Sequence, residues 1–374
     1  TLFRSAFNSF IPTRMKKLLI FLAFITLQLN AQNSNLSIVS GATSGGTWSP
    51  LLSSNTTQST YTFTPNADNA TVSKTELDDL LRVKNSHVII NTACASCTQA
   101  GQIDLSVAFS TYNQNGPASS RTLTMNAGSD VNIANSMAMR STTSSDTNLG
   151  SLKLVINAVG NISVTGAINM NNPTSAYAYI NATEGGSVTL NSTAGSVKVT
   201  QPINCSGTTN ITLGTYSGSG GSITIKSANG VSVLSTLTST GRLYNAGPIT
   251  ILDGNSTVTV GGENDGITGQ IIGGAFTKSG TGTLLLSGTN NGVSSSEIID
   301  GTLQLKGGTA LPDYNTLTFT GANAVLDLNG VSESIGSIAS INGIGKITSS
   351  VAGAVTLTIG SSNLNTTYTG LIED

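Results

Sequence analysis

The chain has 374 residues, of which 9% are charged and 5% aromatic, with a formal net charge of -2. So little charge leaves no basic stripe to neutralise phosphates, which excludes an electrostatic nucleic-acid binder. An apolar fraction of 38% argues equally against charge-rich disorder. Length alone suggests two or three globular domains, but Ser, Thr, Asn and Gly interleaved with Val, Ile and Leu point instead to a repeat array of short strands between small-residue turns.

Residues 1–14 are expected to lie upstream of the true start at Met15. From there Lys16 and Lys17, the apolar run Leu18 to Leu29, and Asn30-Ala31-Gln32 have the layout of a secretory signal peptide over 15–31, with cleavage after Ala31. The apolar run, about 12 residues, is shorter than the roughly 20 that span a bilayer, and no later segment is apolar enough to do so. Residues 32–66 read as a polar lead-in of strand-like pieces such as Ser59 to Phe63, carrying the single tryptophan, Trp48.

Ser73 and Glu76 have the spacing of a capping box, with Leu77, Leu80 and Leu81 following on one helical face. This predicts a short amphipathic helix that covers the bare end of a stack of strands. Its acids Glu76, Asp78 and Asp79 suit a helix first turn better than a metal cluster. Cys94 and Cys97 form a lone C-x-x-C in the loop 92–100, and Cys205 stands apart. With a single histidine, His87, these thiols do not make a zinc set, and a loop disulfide or free thiols are expected in place of redox catalysis.

From His87 onward the pattern repeats. Units beginning at Leu123, Leu154, Val188 and Ile223 each carry alternating aliphatic residues, a small-residue turn, and a second short strand at Val131, Ile162, Val197 and Val231. Such a period marks stacked units whose alternate aliphatics point inward while Thr, Ser and Asn point outward or form ladders with the next unit. At about 22 residues and about 4.8 Å per coil, residues 32–374 would build a rod on the order of 75 Å long.

The run Lys278-Ser279-Gly280-Thr281-Gly282-Thr283-Leu284-Leu285-Leu286-Ser287-Gly288-Thr289-Asn290, followed by Gly301-Thr302-Leu303, resembles the autotransporter-associated β-strand repeat over about 273–374. It continues through Leu326 to Gly330, Ile335 to Ile338 and Leu357 to Gly360, and Tyr368-Thr369-Gly370 looks like the close of one unit before another. It departs from that family at Val293 to Ile299, where a Gly- and Thr-rich turn is usual and Ser294-Ser295-Ser296-Glu297 stands instead. Residues 67–260 are similar to the filamentous-haemagglutinin-like β-helix, on the helix, Asn85, His87 to Ile90 and rungs such as Leu123 to Ile133. The two resemblances imply an all-β, right-handed parallel β-helix (β-solenoid) with a short N-terminal capping helix, found in surface passengers and adhesins. They divide the chain at 260/261, with the second repeat truncated at the C-terminus.

Neither family transfers a catalytic residue, and no catalytic, cofactor-binding or metal residue is assigned. A polysaccharide lyase or hydrolase on this fold would need paired carboxylates, or a carboxylate with a cation, held close together on one face. The acids Asp104, Asp130, Asp146, Glu184, Asp253, Glu263, Asp265, Glu297, Asp300, Asp313, Asp327 and Glu333 do not recur at one coil spacing. Asp253, Asp300 and Asp327 sit in turn contexts that favour local backbone capping. Gly261 to Gly266 is similar to a calcium nonapeptide turn, but a single copy reads as a loop. His87 has no evident partner for general-base work.

The expectation is therefore a non-enzymatic, adhesin-like structural passenger, secreted or on the surface of a Gram-negative bacterium. Its expected partners are host or environmental glycans or proteins, or other surface proteins, with no cofactor and no membrane span after signal removal. The alternative is a polysaccharide-acting β-helix enzyme; a glycan-binding module would show an exposed aromatic row.

Overall fold

The computed structural model describes residues 32–52, 59–113, 120–141, 152–171, 185–207, 221–229, 231–233, 235, 237–238, 249–253, 258–260, 271–279, 281–286, 292–341 and 343–373. The expected signal peptide and the loop Gly261 to Gly266 lie outside the described residues. The protein is all-β. Almost every strand pairs in parallel with its equivalent further along the chain, in a 13-stranded sheet, a 17-stranded sheet and a two-stranded sheet.

Three rows of strands result. The first, the 13-stranded sheet, runs through Ile103–Leu105, Val131–Ile133, Ile162–Val164, Val197–Val199 and Val231–Val233 to Leu371–Ile372. A second row passes through His87–Asn91, Arg121–Ala127, Leu152–Ala158, Ser187–Ser192 and Ile223–Ser227 and continues to Ser337–Ser340. The third row, Phe109–Asn113, Met137–Ser141, Ile168–Asn169, Ile203–Asn204 and Leu237–Thr238, merges with the second at Ile271–Ser279. Glu333–Ile335 and Leu357–Ile359 form the separate pair.

The repeat phase read from the sequence is the pairing register: Leu123 stands against Leu154, Leu154 against Val188, and Val188 against Ile223. Alternation sets the core. Arg121–Ala127 and Leu152–Ala158 bury every second residue, so their aliphatic side chains meet those of the rungs above and below. The third row was absent from the sequence reading, because after Phe109–Asn113 and Met137–Ser141 its strands shrink to two residues, too few positions to alternate. Its signal was nonetheless present: Met137, Ile168, Ile203 and Leu237 each follow the first-row positions Val131, Ile162, Val197 and Val231 by six residues, and all four are buried.

Coil length changes along the chain. First-row partners Val131, Ile162, Val197 and Val231 are 31, 35 and 34 residues apart, whereas Leu284, Leu303, Leu326 and Ile347 are 19, 23 and 21 apart. The longer early coils shorten the expected rod, since thirteen strands at a spacing of about 4.8 Å make a row of only about 58 Å. Pairing is continuous across position 260, with Val258 against Leu284. Gly292–Ile298 forms a strand between Ile271–Ser279 and Thr316–Phe319, with Val293, Ser296 and Ile298 buried, where family usage has a turn. Inward branched side chains make it a strand, and Asn315 Nδ2 donates to both the Val293 carbonyl and Ser296 Oγ at 3.0 Å.

At the N-terminal end the helix Lys74–Asp78 runs into a wider π-helical turn, Asp79–Val83, and buries Leu77, Leu80 and Leu81. It packs against Ala70–Ser73 and against Phe109–Asn113, the first strand of the third row, and so covers that row's free edge. The capping box does not form. Ser73 makes no side-chain cap bond, and Glu76 Oε2 instead accepts Thr43 Oγ1 at 2.7 Å and Trp48 Nε1 at 3.1 Å. An antiparallel pair, Gly46–Ser49 with Thr60–Pro65, completes this end. Leu36–Val39, the first described strand in the chain, lies between two later ones, Ala70–Ser73 and Ile103–Leu105.

Candidate functional site

Two kinds of polar order line the outside of the stack. On the second row Asn91, Asn126, Asn157 and Asn191 stand in register, and the Nδ2 of Asn126, Asn157 and Asn191 donates to the Oδ1 of the preceding rung at 2.8, 2.9 and 3.2 Å. Thr124 and Thr189 lie two residues before Asn126 and Asn191, on the same half-buried outer face. At the turn before the first row a side chain of each rung receives a backbone N–H of the next: Asn161 N–H donates to Asp130 Oδ1 at 2.6 Å and Ser196 N–H to Asn161 Oδ1 at 2.9 Å. These columns satisfy most of their bonding among themselves. Apart from the Asp130 carboxylate, what they present outward is uncharged amide and hydroxyl, a surface that can accept or donate hydrogen bonds but carries no nucleophile paired with a base.

The acids singled out from the sequence are dispersed among local partners. Asp104 Oδ1 accepts Gln102 Nε2 and Asn132 Nδ2, each at 2.8 Å. Asp300 Oδ1 takes the N–H of Gly301 at 2.9 Å, which is a turn cap. Asp327 is buried yet held below the usual aspartate range: burial pushes its carboxyl up, but hydrogen bonds from Ser350, Gln304 and the Asn329 N–H outweigh it. Glu333 goes the other way. Burial raises it despite the N–H groups of Ala310 at 2.9 Å and Ser334 at 3.2 Å. Asp146, Glu184, Glu263 and Asp265, and the side chain of Asp253, are outside the described residues.

His87 opens its strand half-buried, its Nδ1 accepting the Thr122 N–H at 3.2 Å. Cys94 and Cys97 are joined as a disulfide. Cys205 is a free, buried thiol, and burial drives its pKa up, so no reactive thiolate forms there. Among the described residues no group of three or more His, Cys, Asp or Glu could hold a metal ion.

Sequence reasoning missed two buried cations. Lys278 is fully buried, its Nζ donating to the carbonyls of Ser279 and Asp300 at 3.1 Å. Arg121 is 1% exposed and donates from Nη1 to the Leu81 carbonyl at 2.8 Å, tying the helical cap to the second row. Both occupy inward positions where an aliphatic residue is usual, so the alternation pattern hides them. A cavity of about 540 Å³ near the C-terminal end is lined by aliphatic side chains, among them Leu328, Ile347, Leu357 and Ile372, with Glu373 its one carboxylate. Glu373 is paired with Lys346. Among the described residues the site features thus define an all-β protein of stacked parallel strands with long polar faces.

A stretch of 129 residues is 36% identical to part of the adhesin BmaC autotransporter of Brucella suis biovar 1 (strain 1330), covering 34% of this chain and 4% of that relative. The likeness is thus to a small piece of an autotransporter-related adhesin. No family model matches the chain, and no solved structure matches it. No described helix is long and apolar enough to cross a membrane, which says nothing of a β-barrel.

Proposed function

We propose that the chain is a right-handed parallel β-solenoid serving as a non-enzymatic stalk or adhesin-like passenger, secreted or displayed on the surface of a Gram-negative bacterium. The observation that carries this reading is the parallel pairing of each strand with its equivalent one coil later, repeated along the first row from Ile103–Leu105 to Leu371–Ile372. Parallel crossovers in one sheet are right-handed in nearly all proteins, which favours that hand here. The likeness to a piece of the Brucella adhesin favours a surface role. In this reading residues 15–31 direct export, 67–260 form the haemagglutinin-like part, and 261–374 form the autotransporter-associated repeat with its shorter coils.

The long outer faces would meet a glycan, a host protein or another surface protein through hydrogen-bonding side chains held at fixed spacing. The enzymatic alternative requires two carboxylates, or a carboxylate and a cation, converging in one groove. The local partners of Asp104, Asp300, Asp327 and Glu333 favour structural roles for these acids.

Beads coated with the purified chain test both parts. Retention on glycan- or matrix-protein-coated surfaces, with no new reducing ends or unsaturated sugars released from a polysaccharide panel, is the expected result. Saccharide release would overturn the non-enzymatic reading, and failure to be retained on any surface would overturn the adhesive one.

A further inference from the structure

The loop carrying the disulfide encloses the start of the described chain. Asn33 forms antiparallel bridges with both limbs of that loop, at Ala93 and at Gln99. Cys94 N–H donates to the Gln32 carbonyl at 2.8 Å, Gln99 N–H to the Asn33 carbonyl at 3.0 Å, and Ser34 N–H to the Thr92 carbonyl at 2.8 Å. Gln99 Oε1 accepts the N–H groups of Asn35 and Asn69, each at 2.8 Å. The Cys94–Cys97 bond closes the tip of the loop between these limbs, with Cα atoms 5.4 Å apart and both residues only 4% exposed.

Immediately after this clasp, Leu36–Val39 enters the slot between Ala70–Ser73 and Ile103–Leu105. Withdrawing this strand would part Ala70–Ser73 from Ile103–Leu105 but leave the pairing from Ile103–Leu105 onward intact. Its retention depends on its own ladder bonds, on the burial of Leu36 and Ile38, and on the loop around residues 32–35.

We propose that the Cys94–Cys97 disulfide is a redox-operated latch that holds the segment 32–39 in this slot, and that reduction by a small dithiol releases it. In the balanced step a reductant thiolate attacks one cysteine sulfur, the S–S bond breaks, and the other cysteine leaves as a thiolate that takes up a proton. The second thiol of the reductant then displaces the mixed disulfide. Two electrons and two protons pass to the protein, giving two cysteine thiols, and the reductant departs as a cyclic disulfide. Removing a four-residue ring restores conformations to the open loop, and the chain-entropy relation gives a rise of roughly twenty-fold in the open population. The slot then leaves unpaired backbone groups on both flanking strands.

Native-state hydrogen exchange on the whole chain, before and after dithiothreitol, tests the latch. The amides of Ser34, Leu36, Cys94 and Gln99 are expected to exchange at least tenfold faster after reduction, and to slow again on reoxidation, while those of Ile156 and Leu190 keep their rates. Cys94→Ser with Cys97→Ser should reproduce the reduced pattern. If that variant fails to fold, reduction and reoxidation of the folded wild type decide the matter alone. Acceleration spread evenly over the rungs, no acceleration at residues 32–39, or resistance of the bond to the dithiol would each overturn the proposal.

Discussion

The asparagine column makes a prediction whose size follows from counting bonds. Asn126 and Asn157 each take part in two side-chain hydrogen bonds, because each donates to the rung before and accepts from the rung after, whereas Asn91 takes part in one. A net hydrogen bond contributes about 1 kcal/mol, and these groups are half-buried, so water recovers part of what truncation removes. Asn126→Ala or Asn157→Ala should therefore cost about 1–2 kcal/mol and Asn91→Ala about half of that. The pair Asn126→Ala with Asn157→Ala removes three bonds where the two single changes together count four, since one bond is shared. The double variant should fall short of additivity by about one bond, roughly 1 kcal/mol. Urea unfolding followed by far-UV circular dichroism, with the midpoint compared at constant slope, measures all four. Equal costs at Asn91 and Asn157, or strict additivity of the double variant, would refute a cooperative ladder and leave the asparagines as independent surface residues.

Further tests address the core, the buried acids and the turns. Ile168 is fully buried in the third row, so Ile168→Ala should lower stability by about 2–5 kcal/mol in the same urea assay; an unchanged midpoint would deny that row a part in the core. Asp327, with its pKa lowered on folding, contributes stability that is present above its unfolded pKa and lost as pH falls through the folded value; Asp327→Asn should flatten that acid limb of a stability–pH profile. Glu333, with its pKa raised by burial, has the opposite sign: its contribution is full below the unfolded pKa and is lost as pH rises through the folded value, and Glu333→Gln should remove that loss. Gly345 has φ +94° and a Cβ there would lie 2.6 Å from Phe319 Cγ, so Gly345→Ala should cost about 1–3 kcal/mol, read as a drop in melting temperature.

How much of this was legible depends on the range of the interaction involved. All-β structure and the register of the second row were readable because alternation is local and the repeat starts at Leu123, Leu154, Val188 and Ile223 carry it plainly. The two-residue strands of the third row leave one strong apolar mark each, at Ile168, Ile203 or Leu237, and a six-residue offset is a weaker signal than an alternating run. Leu77, Leu80 and Leu81 announced the helix correctly. Its cap failed because Glu76 is taken by Thr43 and Trp48, some thirty residues earlier, which no local spacing reveals. The placing of Leu36–Val39 between two later strands is likewise a long-range fact. The strand at Gly292–Ile298 was obscured by its serines, of which Ser296 is inward and satisfied by Asn315.

The low charge of the chain has a structural counterpart. Among the described residues two ion pairs are evident, Arg82 with Asp78 and Lys346 with Glu373, and all four side chains are partly exposed. Partly exposed pairs contribute about 0–1 kcal/mol, too little to hold a stack together. Among the described residues the buried aliphatic columns and the strand ladders are the extended sources of cohesion, and both connect a rung mainly to its two neighbours. A change at one inward position is consequently felt over a coil or so, while an outward position such as Thr124 or Thr189 is constrained only by the adjacent residues of its own column. Fold and outer face are in this way carried by alternate residues of the same strands. Outward side chains can be exchanged while Leu123, Leu154, Val188 and Ile223 keep the stack in register, which is the physical condition under which an outer face can diversify without unfolding.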